Sequence, residues 1–162
     1  MDESSIARYI LDRFPGIVPV QAWGETSFFY NPGRALPRGV YFATLKSSDG
    51  DNDRASQLDR PSVFRLNIGV GKAIYRSLFG APPGRPAAGG VVDTAHDFTA
   101  LDTVLPHPVY GWMSWVCVLN PGPATFESVK PLLAEAHGLA EQKFRKRLGA
   151  AGGVRSMRPT VT

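Results

Sequence analysis

One histidine sits where it could handle a proton. His107 lies between Pro106 and Pro108, which hold its backbone, and Asp97 and Asp102 stand shortly before it. Imidazole titrates near neutrality, so His107 with Asp102 forms a candidate general base, with Tyr110 and Trp112 as walls of a cleft. The plainer role for such a histidine is to cap a turn or bond a backbone group. No G-x-S-x-G elbow and no Cys–His pattern accompanies it.

A second pair is Arg65 and Asn67 in the run Phe64-Arg65-Leu66-Asn67. In a strand, alternation puts Arg65 and Asn67 on one face and Phe64 and Leu66 on the other. A guanidinium grips oxyanions in bidentate fashion, so this pair could hold a carboxylate or phosphate. The structural alternative pairs Arg65 with Asp59 or Asp102. Trp23 and Trp112 have glycine neighbours, Gly24 and Gly111, and are candidate pocket walls for a flat ligand. Trp115 reads as core.

Other motifs fall short. Asp49-Gly50-Asp51-Asn52-Asp53 opens like a calcium loop, but Arg54 stands where glycine is required and Arg60 where the closing acid belongs. His96, His107 and His137 lack metal-ligand spacing, and Cys117 sits inside an apolar run, so neither metal nor cofactor is expected. Cys117 reads as a buried core thiol rather than a nucleophile. Gly69-x-Gly71 lacks dinucleotide-loop spacing.

These residues need a scaffold. Residues 4–14 predict a helix with Ile6, Tyr9, Ile10 and Phe14 on one face, capped by Asp2 or Ser4 and stopped at Pro15-Gly16. Strands are predicted over 21–30, 40–46, 63–68 and 115–119, and a short helix over 72–79 closed by Gly80. Residues 47–60 form a polar loop, 81–90 a Pro/Ala/Gly loop, and 101–105 a helical turn. The last helix covers about 125–148. Pro131 is expected only in a first turn, which places the regular start near Ser128. This order predicts α+β: one domain over 1–148, a mainly antiparallel sheet with the N- and C-terminal helices packed on it, and a disordered basic tail over 149–162.

The chain has 162 residues, enough for a real core, with 43% hydrophobic and 20% charged residues. One cysteine excludes an internal disulfide and fits a reducing compartment. No run approaches the roughly 18 apolar residues of a membrane helix, and the acidic start is no secretory signal, so a cytoplasmic protein is expected. Net charge is +4, with much of the excess among Lys143, Arg145, Lys146, Arg147, Arg155 and Arg158. That is mildly basic, enough for nucleic acid as a lesser alternative through this face with Arg54, Arg60 and Arg65.

The segments WGETSFFYNP, SQLDRPSVFRLNIGV and LDTVLPHPVYGWMSWVCVLNP, with the helix TFESVKPLLAEAHGLA, closely resemble domain of unknown function 6194. The likeness spans most of residues 4–147 and implies no activity. More distantly, the order of elements is similar to the MmcQ/YjbR-like group, in which a Trp-bearing strand leads into a C-terminal helix. That resemblance implies a small α+β domain of a kind often labelled DNA-binding. The leading expectation is a small-molecule-binding or accessory domain for an aromatic or anionic ligand, held by Trp23, Arg65, Asn67, His107, Tyr110 and Trp112. An enzyme using His107 and Asp102 is the alternative.

Overall fold

The computed structural model describes the backbone of residues 1–156 and the side chains of 1–151. Helix α1, Glu3–Arg13, begins at Asp2, whose carboxylate accepts the Ser5 amide at 2.8 Å. This satisfies one of the helix's free amides. Ile6 and Ile10 turn inward.

Two strands then form a tight hairpin, β1 (Ile17–Ala22) and β2 (Glu25–Tyr30). The 21–30 stretch is therefore a corner and not one strand. Trp23 and Gly24 take φ of 50° and 71°, positive at both positions, as a type I′ turn requires. The aromatic run hid that turn. Pro19 is tolerated because β1 is a sheet edge. Strand β3 (Val40–Lys46), strand β4 (Arg65–Gly69) and helix α2 (Gly71–Phe79) follow as expected.

Residues 101–105 do not make a helical turn. Val104–Pro106 is β5, a short edge strand on β6 (Trp115–Leu119). The last element, α3, runs Pro123–Ser156 and carries Pro131 inside it. It thus starts before the predicted first turn and continues past 148. Pro131 is exposed, so water can serve the carbonyl that its missing amide leaves free. Of the predicted tail, 149–156 is helical and 157–162 lies outside the described residues.

The six strands form one antiparallel sheet in the order β1-β2-β3-β4-β6-β5, so the fold is α+β. The helices share one face. Phe28, Phe42, Leu45, Leu66, Ile68, Val116 and Val118 pack there with Ile6, Ile10, Phe126, Val129, Leu133 and Phe144. A bulge shapes the sheet: Phe28 pairs with Ala43, but Phe29 pairs with Tyr41, leaving Phe42 as the extra residue. Phe42 is thereby turned towards Phe14, edge to face at 5.7 Å, while Phe29 and Tyr41 come together, also at 5.7 Å, beside the cavity described below.

The opposite face carries Thr44, Lys46, Arg65, Asn67, Trp115, Cys117 and Leu119. Part of it is covered by the loop between β3 and β4, where Leu58 and Val63 join Leu105, Cys117 and Leu119 in a second, smaller core. The rest stays open.

Candidate functional site

That opening is a cavity of about 270 Å³ on the face away from the helices. Phe29, Tyr41, Tyr110 and Trp115 supply aromatic surface, and Glu25, Ser27, Thr44, Lys46, Asp53, Arg65, Asn67 and His107 supply polar groups. Tyr41 lies against Trp115 with ring centroids 5.3 Å apart. Gly69 makes this possible: a Cβ there would stand 2.8 Å from the Trp115 ring.

Arg65 forms the floor and has no exposed surface. Its Nε donates to Asn67 Oδ1 at 2.7 Å, and its Nη1 to Asp53 Oδ1 at 3.0 Å and Ser56 Oγ at 2.9 Å. Its Nη2 completes a bidentate grip on Asp53. Asn67 in turn donates to Thr44 Oγ1 at 2.8 Å. Strand register explains the set, because Thr44 pairs with Asn67 and Lys46 with Arg65 across β3 and β4. Asp53 arrives from the loop between those strands.

Burial alone would raise the Asp53 carboxyl, but the Arg65 hydrogen bonds and charge outweigh it and hold it below the ordinary carboxylate range. Lys46 meets Glu25 at 3.4 Å. The two cations of the cavity therefore each face a carboxylate.

His107 is buried, and each of its ring nitrogens has close polar neighbours. Its Nδ1 accepts the amides of Val109 at 3.1 Å and Tyr110 at 3.0 Å, and its Nε2 lies 3.3 Å from Arg65 Nη2. Burial, and then the Arg65 charge, push its pKa well below the ordinary value, so the ring is neutral. Asp102 is elsewhere: its carboxylate accepts the Gly122 amide at 2.7 Å. The predicted Asp102–His107 pair does not form, because Asp102 closes the turn into α3 while His107 closes its own turn.

The structure brings together Arg65, Asn67, His107 and Tyr110. It leaves out two tryptophans. Trp23 is 95% exposed at the β1–β2 corner, since its adjacent glycine serves the hairpin turn and not a cleft. Trp112 lines a separate shallow surface with Tyr110 and holds Arg85 over its ring at 4.9 Å. Sequence reasoning missed Thr44, Lys46 and Asp53. Alternation from Leu45, an inward strand residue, would have placed Thr44 and Lys46 beside Arg65.

The acids of 47–60 are spent within the chain. Asp49 accepts the Leu58 amide, Asp59 accepts the Asp49 amide, Asp51 lies near Arg54, and Asp53 holds Arg65. Arg60 donates to the carbonyls of Ser56, Gln57 and Thr99, so it and Arg65 are structural groups rather than free phosphate contacts. Among the described residues no group of three or more His, Cys, Asp or Glu side chains could hold a metal, and no helix is long and apolar enough to cross a membrane. Burial pushes the Cys117 thiol up to about 12.

A larger, more open depression of about 690 Å³ lies between the start of α1 and residues 58–64. Its Asn120 is satisfied on both sides by Phe64 and Ser62, and it has little aromatic lining.

A family model, described as a family of unknown function (DUF6194), matches residues 1–149. No curated protein and no solved structure matches the chain.

Proposed function

The chain belongs to the DUF6194 family, whose function is unknown, and we propose that it is a binding or accessory domain for a small planar molecule held in the cavity over Arg65. One observation carries this reading: an aromatic-walled recess has a floor of buried, mutually bonded polar side chains. Such a floor costs desolvation to build and is already ordered before a ligand arrives. The volume of about 270 Å³ suits a ligand of one or two rings. Tyr41 and Trp115 give stacking surface, and Tyr110 closes the side next to His107, with ring centroids 5.1 Å apart.

The reading places the protein in the cytoplasm, where the lone Cys117 thiol stays reduced. The nucleic-acid alternative is weaker, since Arg60 and Arg65 are committed inside the chain.

A thermal-shift screen of a metabolite library tests the proposal, run on wild type and on Tyr41→Ala. Tyr41 is 47% exposed, so its truncation removes a wall without emptying the core. A ligand at about 100 times its dissociation constant adds roughly 2.7 kcal/mol of stability. Hits that vanish in Tyr41→Ala support the reading. Hits indifferent to both Tyr41→Ala and Tyr110→Ala, or binding only to DNA with a steep salt dependence, overturn it.

A further inference from the structure

Arg65 has five N–H groups. Four of them meet acceptors of the chain: Asn67 Oδ1, Ser56 Oγ and the two oxygens of Asp53. The fifth, on Nη2, faces His107 Nε2 at 3.3 Å. That approach looks like a hydrogen bond until the other side of the ring is considered.

His107 Nδ1 accepts two main-chain amides. A nitrogen that accepts two N–H groups carries no proton of its own. A neutral imidazole has one proton, so it sits on Nε2. Flipping the ring would aim both amides at a carbon and lose two bonds. Nε2 is therefore a donor, and it faces a donor. Two N–H groups, on residues 0% and 2% exposed, face each other at one corner of the cavity, and among the described residues no acceptor lies between them. Buried donors of this kind are costly unless an acceptor meets them.

We propose that this corner recognises a carbonyl-type oxygen on a neutral planar ligand, which accepts from Arg65 Nη2 and His107 Nε2 together; the inference rests on the binding function proposed above. Charge decides for a neutral group. Arg65 is matched by Asp53 and Lys46 by Glu25, so the lining has no unmatched cation for a carboxylate or phosphate. An amide, lactam or nucleobase carbonyl offers two lone pairs and fits both donors. The ring that bears it would lie along Tyr41 and Trp115.

The test uses nuclear magnetic resonance on the full ¹⁵N-labelled chain and three probes sharing one ring: benzamide, benzoate and toluene. The His107 ring should show its proton on Nε2. Benzamide should shift the His107 Nε2 and Arg65 Nη signals and bind about ten-fold tighter than toluene or benzoate, the value of one added hydrogen bond. In His107→Asn the amide oxygen can replace Nδ1 as acceptor for Val109 and Tyr110, so the turn persists, but the Nε2 donor is gone. Benzamide should lose that ten-fold advantage while toluene is unchanged.

A proton on Nδ1 overturns the inference. So does equal binding of benzamide and toluene at Tyr41 and Trp115, or tighter binding of benzoate, and in both cases the cavity reading survives. No shift of Tyr41, Tyr110 or Trp115 with any probe overturns the inference and the cavity reading together.

Discussion

Arg65 on β4 and Asp53 on the preceding loop form a bidentate pair, with the guanidinium wholly buried and the carboxylate side chain 17% exposed. Removing one partner strands the other in a poorly hydrated place. Arg65→Met and Asp53→Asn should each cost about 3–5 kcal/mol. The double variant should cost less than their sum by up to about 3 kcal/mol, because neither charge is then left alone. Urea unfolding of the four chains measures this, and strict additivity would show that the pair is not coupled.

Acid should weaken the fold in two stages. Folded His107 stays neutral, because burial and Arg65 hold its pKa well down, while the unfolded chain takes up a proton below about pH 6.5. Its contribution is therefore complete above that pH and is lost below it, at up to about 1.4 kcal/mol per pH unit. Asp53 acts lower. Its folded pKa is depressed, so its contribution is present above about pH 3.9 and disappears as pH falls through the lower folded value. Unfolding free energy against pH should lose the first slope in His107→Asn and the second in Asp53→Asn.

Cys117 should be inert in the native chain. Its thiol is buried and pushed up to about 12, so thiolate is scarce at pH 8. A disulfide reagent should label it only as fast as the protein opens, and at full speed in denaturant. Fast labelling of the folded chain would show that the second core is open.

Pro131 interrupts the amide ladder of α3 at an exposed position. Pro131→Ala restores an N–H and removes the ring's clash with the preceding turn. It should stabilise the chain by up to about 3 kcal/mol and raise Tm. An unchanged or lower Tm would mean that Pro131 costs this helix nothing.

The pattern of elements was legible where periodicity is strong. Ile6 and Ile10, Val116 and Val118, and the stripe Val129, Leu133, Ala136, Ala140 and Phe144 each find the core their spacing implies, whereas Trp115, read as core, is a wall of the cavity. The β1–β2 corner was not, because Trp23 occupies a position where glycine or asparagine is the usual signal. β5 is three residues long and ends in proline, below what any alternation can reveal. At the site, alternation correctly put Arg65 and Asn67 on one face. The turn-capping role of His107 was legible beside its two prolines, but Asp53 and the approach of His107 to Arg65 were not, since both depend on how loops fold back across the sheet. Asp102 misled by nearness in sequence; the chain between it and His107 runs as a strand, which carries the two apart.

The strand order has a kinetic consequence. β1 to β4 pair in sequence as a meander, and β5 with β6 as a hairpin, so each half of the sheet can zip from local contacts. The seam between β4 and β6 must bring Arg65 opposite Leu119 and Gly69 opposite Trp115, closing the longest loop in the sheet. Such closures carry the largest entropic cost and come late in folding. Arg65 and Asn67 lie on one side of that seam, Trp115 and His107 on the other. A half-folded chain therefore lacks the wall made by His107, Tyr110 and Trp115, and a ligand that needs that wall recognises only chains that have finished folding.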